Sequence, residues 1–295
     1  MPNLGDKIRV SDYNSIRNTF ISFLTAGSGQ TGYGQTANSS AVSTGNRVTR
    51  AQWANLVLDL NRMALHQGTS VGLPAITAGT KISASTVDII QAAASTVVLP
   101  ANLYNLAEFS DEPLVLSSRA SSWDQTIRHF FTVTFSNADQ ARYFFNTGSA
   151  IRITPSFAKA SATSINNNWE TLINQTGTVI FGHTATSATG SSPGTVSSIG
   201  FYDLTTTPQQ LYTKTGTGTY AANDYTIRAS CNVTNNTTGT ATTISFEVYF
   251  NDDKGPNPNF DEAVTGTVTN TVIMRRASGS NVSVIGPTAV NTVLL

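Results

Sequence analysis

Three histidines, one cysteine and a sparse set of carboxylates are the side chains with which this chain could do acid–base, nucleophilic or metal chemistry. His66, His129 and His183 are far apart, and none has a second histidine at metal-ligand spacing. A Ser-His-Asp triad assembles in space rather than in sequence, so its serine has to be judged by its own motif. One Gly-x-Ser-x-Gly match exists, Gly190-Ser-Ser192-Pro-Gly194. A nucleophile elbow needs a backbone N–H on the residue after its serine to serve the oxyanion hole. Here that residue is Pro193, which has none, so the segment reads as a flexible turn. Cys231 is alone, which excludes an intramolecular disulfide and a multi-cysteine zinc site. It is expected to be a small buried apolar residue.

Acidic residues cluster around one loop, where Asp252-Asp253 and Asp261-Glu262 flank Gly255-Pro-Asn-Pro-Asn-Phe260. The spacing does not fit an EF-hand calcium loop, and a solvated sheet-edge loop is expected instead, its charges discouraging unwanted edge pairing. A glycosidase-type depolymerase would need a carboxylate pair in a groove, which so few acids make a poor expectation. Gly27-Ser-Gly29-Gln-Thr-Gly32 matches the dinucleotide fingerprint in form. That motif works only after a strand and at the start of a helix, whereas here a helical pattern precedes it and a long, mostly polar stretch follows. No cofactor, metal or catalytic residue is therefore expected. The glycine-rich stretch Ala26–Gly45 reads as a loop reaching over a neighbouring subunit, with Tyr33 as the candidate inter-subunit contact. A glycan would need exposed aromatics, for which Trp123, Tyr202, Tyr212, Tyr220, Tyr225 and Tyr249 are candidates, although sandwich aromatics more often belong to the core.

The chain has 295 residues, enough for one large or two ordinary domains. Lysine plus arginine and aspartate plus glutamate balance at 17 each, so no basic footprint predicts nucleic acid. Only 12% of residues are charged, against roughly 25% in typical soluble proteins. A surface poor in Lys and Glu loses little charge hydration when covered, which favours permanent assemblies. No apolar run approaches the roughly 20 residues that span a bilayer, and the amino terminus lacks a signal-peptide layout. A protein made in a cytosol, with no membrane partner, is expected.

The elements that position these residues begin with a repeat. Gly5-Asp-Lys-Ile8-Arg-Val-Ser-Asp-Tyr13-Asn-Ser-Ile16 is echoed by Gly45-Asn-Arg-Val48-Thr-Arg-Ala-Gln-Trp53-Ala-Asn-Leu56 and by Gly79-Thr-Lys-Ile82-Ser-Ala-Ser-Thr-Val87-Asp-Ile-Ile90. Such repetition points to small packing units. Each unit reads as a short extended piece at Ile8, Val48 or Ile82 feeding an amphipathic helix. Thr49 with Gln52 predicts a capping box, and Ser83 is the equivalent cap in the third copy. Tyr13, Ile16, Phe20, Trp53, Leu56 and Leu60 are expected to form the helical core.

Beyond Pro100 and Pro113 the hydrophobic period changes from 3.6 to 2. Strands are predicted at Thr126–Phe135, Ala150–Thr154, Thr178–Gly182, Ser197–Leu204, Gln210–Thr213, Tyr225–Val233, Thr243–Asn251 and Thr267–Arg275. Two helical segments interrupt them, Asn137–Asn146 with Asn137 as cap and Asn166–Asn174. The fold class expected is α+β: a small N-terminal helical domain with short β segments, residues 1–98, a linker at 99–112 holding Asp111 and Glu112, then a larger, mainly antiparallel β-sandwich, residues 113–295.

Gly32-Tyr-Gly-Gln35, Ser39-Ser-Ala-Val42, the Gln52-Trp53 helix and Leu65-His-Gln67 resemble segments of virion structural proteins from T-even-like, contractile-tailed phages of marine cyanobacteria. So do Phe135-Ser-Asn-Ala-Asp-Gln-Ala-Arg-Tyr-Phe-Phe-Asn146, Tyr225-Thr-Ile-Arg-Ala229 and Cys231-Asn-Val-Thr-Asn-Asn236. The resemblance covers nearly the whole chain, and the 135–146 stretch is its most specific part. It implies a non-enzymatic component of the tail, neck or fibre apparatus, made in the host cytoplasm and residing in the virion. Its expected partners are itself, as a trimer or ring, and other virion proteins; a host glycan receptor is the alternative.

Overall fold

The structure is a computed structural model that describes residues 8–98, 105–192, 194–253 and 263–294. A helical N-terminal region is followed by a larger, mostly antiparallel β region. By contacts the chain divides into two compact units. The first comprises Met1–Ser110 with Arg142–Gly148 and Ala277–Ile285; the second comprises Asp111–Ala141, Ser149–Arg276 and Gly286–Leu295.

In the first unit, α1 (Val10–Leu24), α2 (Arg50–His66) and α3 (Ala84–Thr96) follow the three repeats. Tyr13, Ile16, Phe20, Leu56 and Leu60 are fully buried and Trp53 nearly so, Tyr13 meeting Trp53 edge to face at 5.2 Å. At ~1.5–3 kcal/mol per fully buried large apolar side chain, this stripe is the main source of the unit's stability. The repeat's other positions serve helix starts. Thr49 Oγ1 accepts the Gln52 N–H while Gln52 Oε1 accepts the Thr49 N–H, and Ser83 Oγ accepts the Thr86 N–H. Gly45 and Gly79 sit at φ +91° and +84°, each the third residue of a turn closed by Asn46 N–H to Ser43 O and Thr80 N–H to Thr77 O. Only glycine adopts that third position of a type II turn at little cost. The aliphatic residue at Ile8, Val48 and Ile82 lies one position before the cap. The apolar residue at Tyr13, Trp53 and Val87 is four positions after it, the spacing of a hydrophobic staple. The expected β pieces at Ile8, Val48 and Ile82 form no strand. The backbone is extended at the caps Arg9, Thr49 and Ser83, but no neighbouring strand pairs with them.

The residues between α1 and α2 run back along α1. Backbone amides of Tyr33, Gly34 and Gln35 donate to the carbonyls of Phe23, Thr25 and Leu24 at the end of that helix. Further on, Ser39 O accepts from Arg17, and Val42 exchanges two hydrogen bonds with the Asn14 carboxamide near its start. The glycine-rich stretch is thus a return strap that satisfies helix-end carbonyls, which otherwise lack partners.

The second unit holds two open sheets. Its strands are β1 (Phe109–Arg119), β2 (Thr126–Thr134), β3 (Ala150–Lys159), β4 (Val179–Phe181), β5 (Thr186–Ala188), β6 (Thr195–Val196), β7 (Gln209–Thr215), β8 (Asp224–Cys231), β9 (Thr243–Asn251), β10 (Gly266–Ala277) and β11 (Thr288–Leu294). One sheet has the order β1-β10-β3-β4-β5 and the other β11-β2-β9-β8-β7-β6, so each keeps its own edge strands. β2 and β9 alternate buried and less buried residues along their length, as period-2 patterning requires. Phe181 of the first sheet meets Phe246 of the second edge to face at 5.4 Å. α4 (Ala138–Asn146) starts at the Asn137 cap, whose Oδ1 accepts the Gln140 N–H, and α5 (Ser164–Thr176) buries Trp169, Leu172 and Ile173.

Two expectations change here. Ser197–Leu204 is not a strand: Phe201–Asp203 forms a 3-10 turn, with Asp203 Oδ2 accepting the Gly200 N–H. Phe201 and Tyr202 are both buried, which an alternating strand cannot arrange on one face. Asp111 and Glu112, read as linker, lie with Pro113 in β1. That is an edge strand, where proline is tolerated, and the carboxylates are matched by Arg152, Arg275 and Arg276.

Candidate functional site

The residues with possible chemistry are used for structure. His66, at the end of α2, lies between Tyr33 and Phe109, and its Nε2 donates to the Thr147 carbonyl at 3.0 Å. Burial pushes its pKa down, offset in part by that hydrogen bond and by Glu108. His129 Nδ1 accepts from the Asn270 amide at 2.7 Å and its Nε2 donates to Asn291 Oδ1 at 2.8 Å, the arrangement of a neutral ring; burial lowers its pKa too. His183 packs on Tyr202, its Nε2 is buried without a hydrogen-bond partner, and burial pushes its pKa down to about 4. Ser192 offers its backbone carbonyl to Lys214, and Pro193 lies outside the described residues. Cys231 is buried, as its composition suggested. Among the described residues no group of three His, Cys, Asp or Glu could hold a metal, and no helix is long and apolar enough to cross a membrane. Asp261, Glu262 and the Gly255–Phe260 loop lie outside the described residues.

The fingerprint glycines are explained by the strap. Gly27, Gly29 and Gly32 all have positive φ, and a Cβ at Gly27 or Gly32 would meet backbone of the same strap. Its carbonyls are held by α4: Arg142 donates to Ala26 O at 2.7 Å, and Asn146 to Gly29 O and Gly32 O at 3.2 and 3.1 Å. A phosphate cradle would need free backbone N–H groups, whereas those of Ser28 and Thr31 within the fingerprint donate to Thr31 Oγ1 and Ser28 O of the same loop.

Tyr33, expected as an inter-subunit contact, turns inward. Its ring is 4% exposed, its hydroxyl accepts from Gln67 at 3.0 Å, and it meets His66 edge to face. Burial raises its pKa. The six candidate glycan rings divide similarly. Trp123, Tyr202, Tyr212, Tyr220 and Tyr225 are buried, whereas Tyr249 is half-buried on β9 under the guanidinium groups of Arg128 and Arg228.

Repeated sequence also converges at the N-terminal end of the helical unit. Residues 8–10, 46–48 with Arg50 and Trp53, and 80–82 line a single open concavity of about 830 Å³. All three helices therefore start at the same end. Val48, Ile82 and Trp53 give it apolar wall, and Arg9, Arg47, Arg50 and Lys81 give it positive charge; no Asp or Glu lines it. Sequence reading found the three units and their caps but missed this concavity, because unequal spacing hides where three starts meet. The recurrent basic residue at Lys7, Arg47 and Lys81 was the available signal. In comparisons with protein-family models, curated proteins and solved structures, nothing matches this chain.

Proposed function

We propose that the chain is a non-enzymatic structural component of a phage virion, in the tail, neck or fibre apparatus, acting through protein–protein assembly. The observation that carries this reading is the convergence of three repeat starts on one concave end. Three helix starts built to one plan form a binding face without any contribution from the β region. The low charge density adds to it, because such a surface is covered at little desolvation cost. The segments that carry the resemblance also contact one another: Gly34 abuts the Tyr143 ring, and Asn146 holds Gly32. In this reading the helical unit docks, and the two sheets are the layers of a β-sandwich that packs against neighbouring subunits in a closed homo-oligomer, a trimer or a ring.

The test has two arms. Native mass spectrometry of the purified chain should give a closed oligomer, and labelled antibody should decorate the tail, neck or fibres of intact particles. A protein that stays monomeric at micromolar concentration and is missing from purified particles would sink the proposal.

A further inference from the structure

We infer that the concave end of the helical unit is a docking site for an acidic segment of a partner protein, one carrying carboxylates around an apolar side chain. The inference rests on the assembly reading above and names the chemistry of the partner.

The argument starts from a charge placement that the fold itself does not favour. A helix start carries partial positive charge from its unpaired N–H groups, so anions stabilise it and cations do the reverse. Arg9 is the cap residue of α1, Arg50 is the first residue of α2, and Arg47 and Lys81 each lie two positions before a cap. Four cations thus crowd the wrong ends of three helices. All four are exposed, and among the described residues none of their side chains makes an ion pair or hydrogen bond. Helical packing does not explain them, since the buried stripe uses other positions. Yet the basic residue two before the cap recurs in two described copies and, in sequence, at Lys7 in the other. A feature kept against local electrostatics points to a ligand that reverses the sign of the effect.

The lining decides which anion. Single phosphate or sulfate ions are small and strongly hydrated, and gain nothing from Val48, Ile82 and Trp53 in the wall. The volume of about 830 Å³ lies within the range that encloses a drug-sized group or a few side chains. Nucleic acid would be met by an extended basic face, whereas this chain has no net charge and its cations are gathered in one hollow. An acidic peptide with one apolar residue matches both the rim and the wall.

The test uses the full chain and a fluorescein-labelled peptide of six glutamates around one leucine, with inorganic phosphate and a single-stranded oligonucleotide as competitors. The peptide should bind, weaken with salt as exposed charge pairs do, and lose at least ~10-fold in affinity in Arg47→Glu/Lys81→Glu. A second readout separates lost binding from lost folding. Charge reversal at helix starts relieves the clash, so the double variant should melt no lower than the parent. Equal binding by parent and variant would overturn the inference, as would a lower melting temperature in the variant. Displacement of the peptide by equimolar phosphate, or tighter binding of the oligonucleotide, would overturn it in favour of those ligands. If the peptide binds as expected but the protein is missing from particles, the virion reading fails while the site stands.

Discussion

The Asp59 carboxylate, on α2 and wholly buried, accepts two hydrogen bonds from Ser39, one from its backbone N–H at 2.8 Å and one from its hydroxyl at 2.7 Å. Asn38 adds its own backbone N–H and its side-chain amide, so one anion holds two consecutive residues of the return strap. Arg62 approaches at 3.7 Å. A buried carboxylate with this many donors is stable only as a set, and truncating it leaves those donors without partners. Asp59→Ala should therefore destabilise the protein by ~3 kcal/mol or more, read from the denaturant midpoint. Ser39→Ala should cost less, and the double variant less than the sum. Additive effects would show that the strap is not held this way.

The helix caps give a milder, separable expectation. Thr49→Ala and Ser83→Ala each remove one acceptor from a helix start and should each cost about 1 kcal/mol. The two caps belong to different helices with no shared hydrogen-bond partner, so their effects should add within ~0.5 kcal/mol. Thermal melts of the two single variants and the double one decide the point.

Two glycines distinguish backbone strain from crowding. Gly45 has φ +91° with open space where a Cβ would go, whereas Gly34 has φ +67° and its Cβ would run into the Tyr143 ring. Gly45→Ala should cost only the left-handed backbone penalty, about 1–2 kcal/mol. Gly34→Ala should cost more, and Gly34→Ala combined with Tyr143→Ala should recover the difference. Equal losses in Gly34→Ala and Gly45→Ala would mean that the ring is not a wall.

Acid stability follows from the histidines. His66, His129 and His183 all have folded pKa values below the ordinary 6.5, each chiefly through burial. The unfolded chain therefore binds protons first as pH falls through about 6.5, and stability declines from there until the folded values are passed. For His183 the window runs from about 6.5 down to about 4, corresponding to at most about 3–4 kcal/mol. Unfolding free energy should thus rise with pH between 4 and 7, and His183→Phe should flatten that slope. A His183→Phe variant with an unchanged slope would place the proton uptake elsewhere.

Much of the helical unit was legible because its signals are local. Trp53, Leu56, Leu60 and Met63 recur at helical spacing, and the cap pairs lie within four residues of one another. β2 and β9 were legible for the same reason, through strict alternation. β1 was hidden because Asp111, Glu112 and Pro113 look like breakers until Arg152, Arg275 and Arg276 neutralise the two carboxylates from strands far along the chain. Ser197–Leu204 misled because its aromatic content mimics a strand, while its hydrogen bonds close a tight local turn. The direction of Tyr33 depended on Gln67 and His66, far along the chain. The concave end depended on three starts being brought together, which no window of sequence contains.

Because the three helices start from one end, that end is complete only once the third repeat has been made. It draws on residues 8–10, 46–48 with Arg50 and Trp53, and 80–82, and the stripe that fixes the third helix runs to Val97. A nascent or truncated chain with two repeats has apolar stripes to pair but lacks Lys81 and Ile82, and so presents an unfinished hollow. Under the docking inference, only chains translated past the third repeat would offer a partner the complete hollow, so docking would double as an inspection of the helical unit.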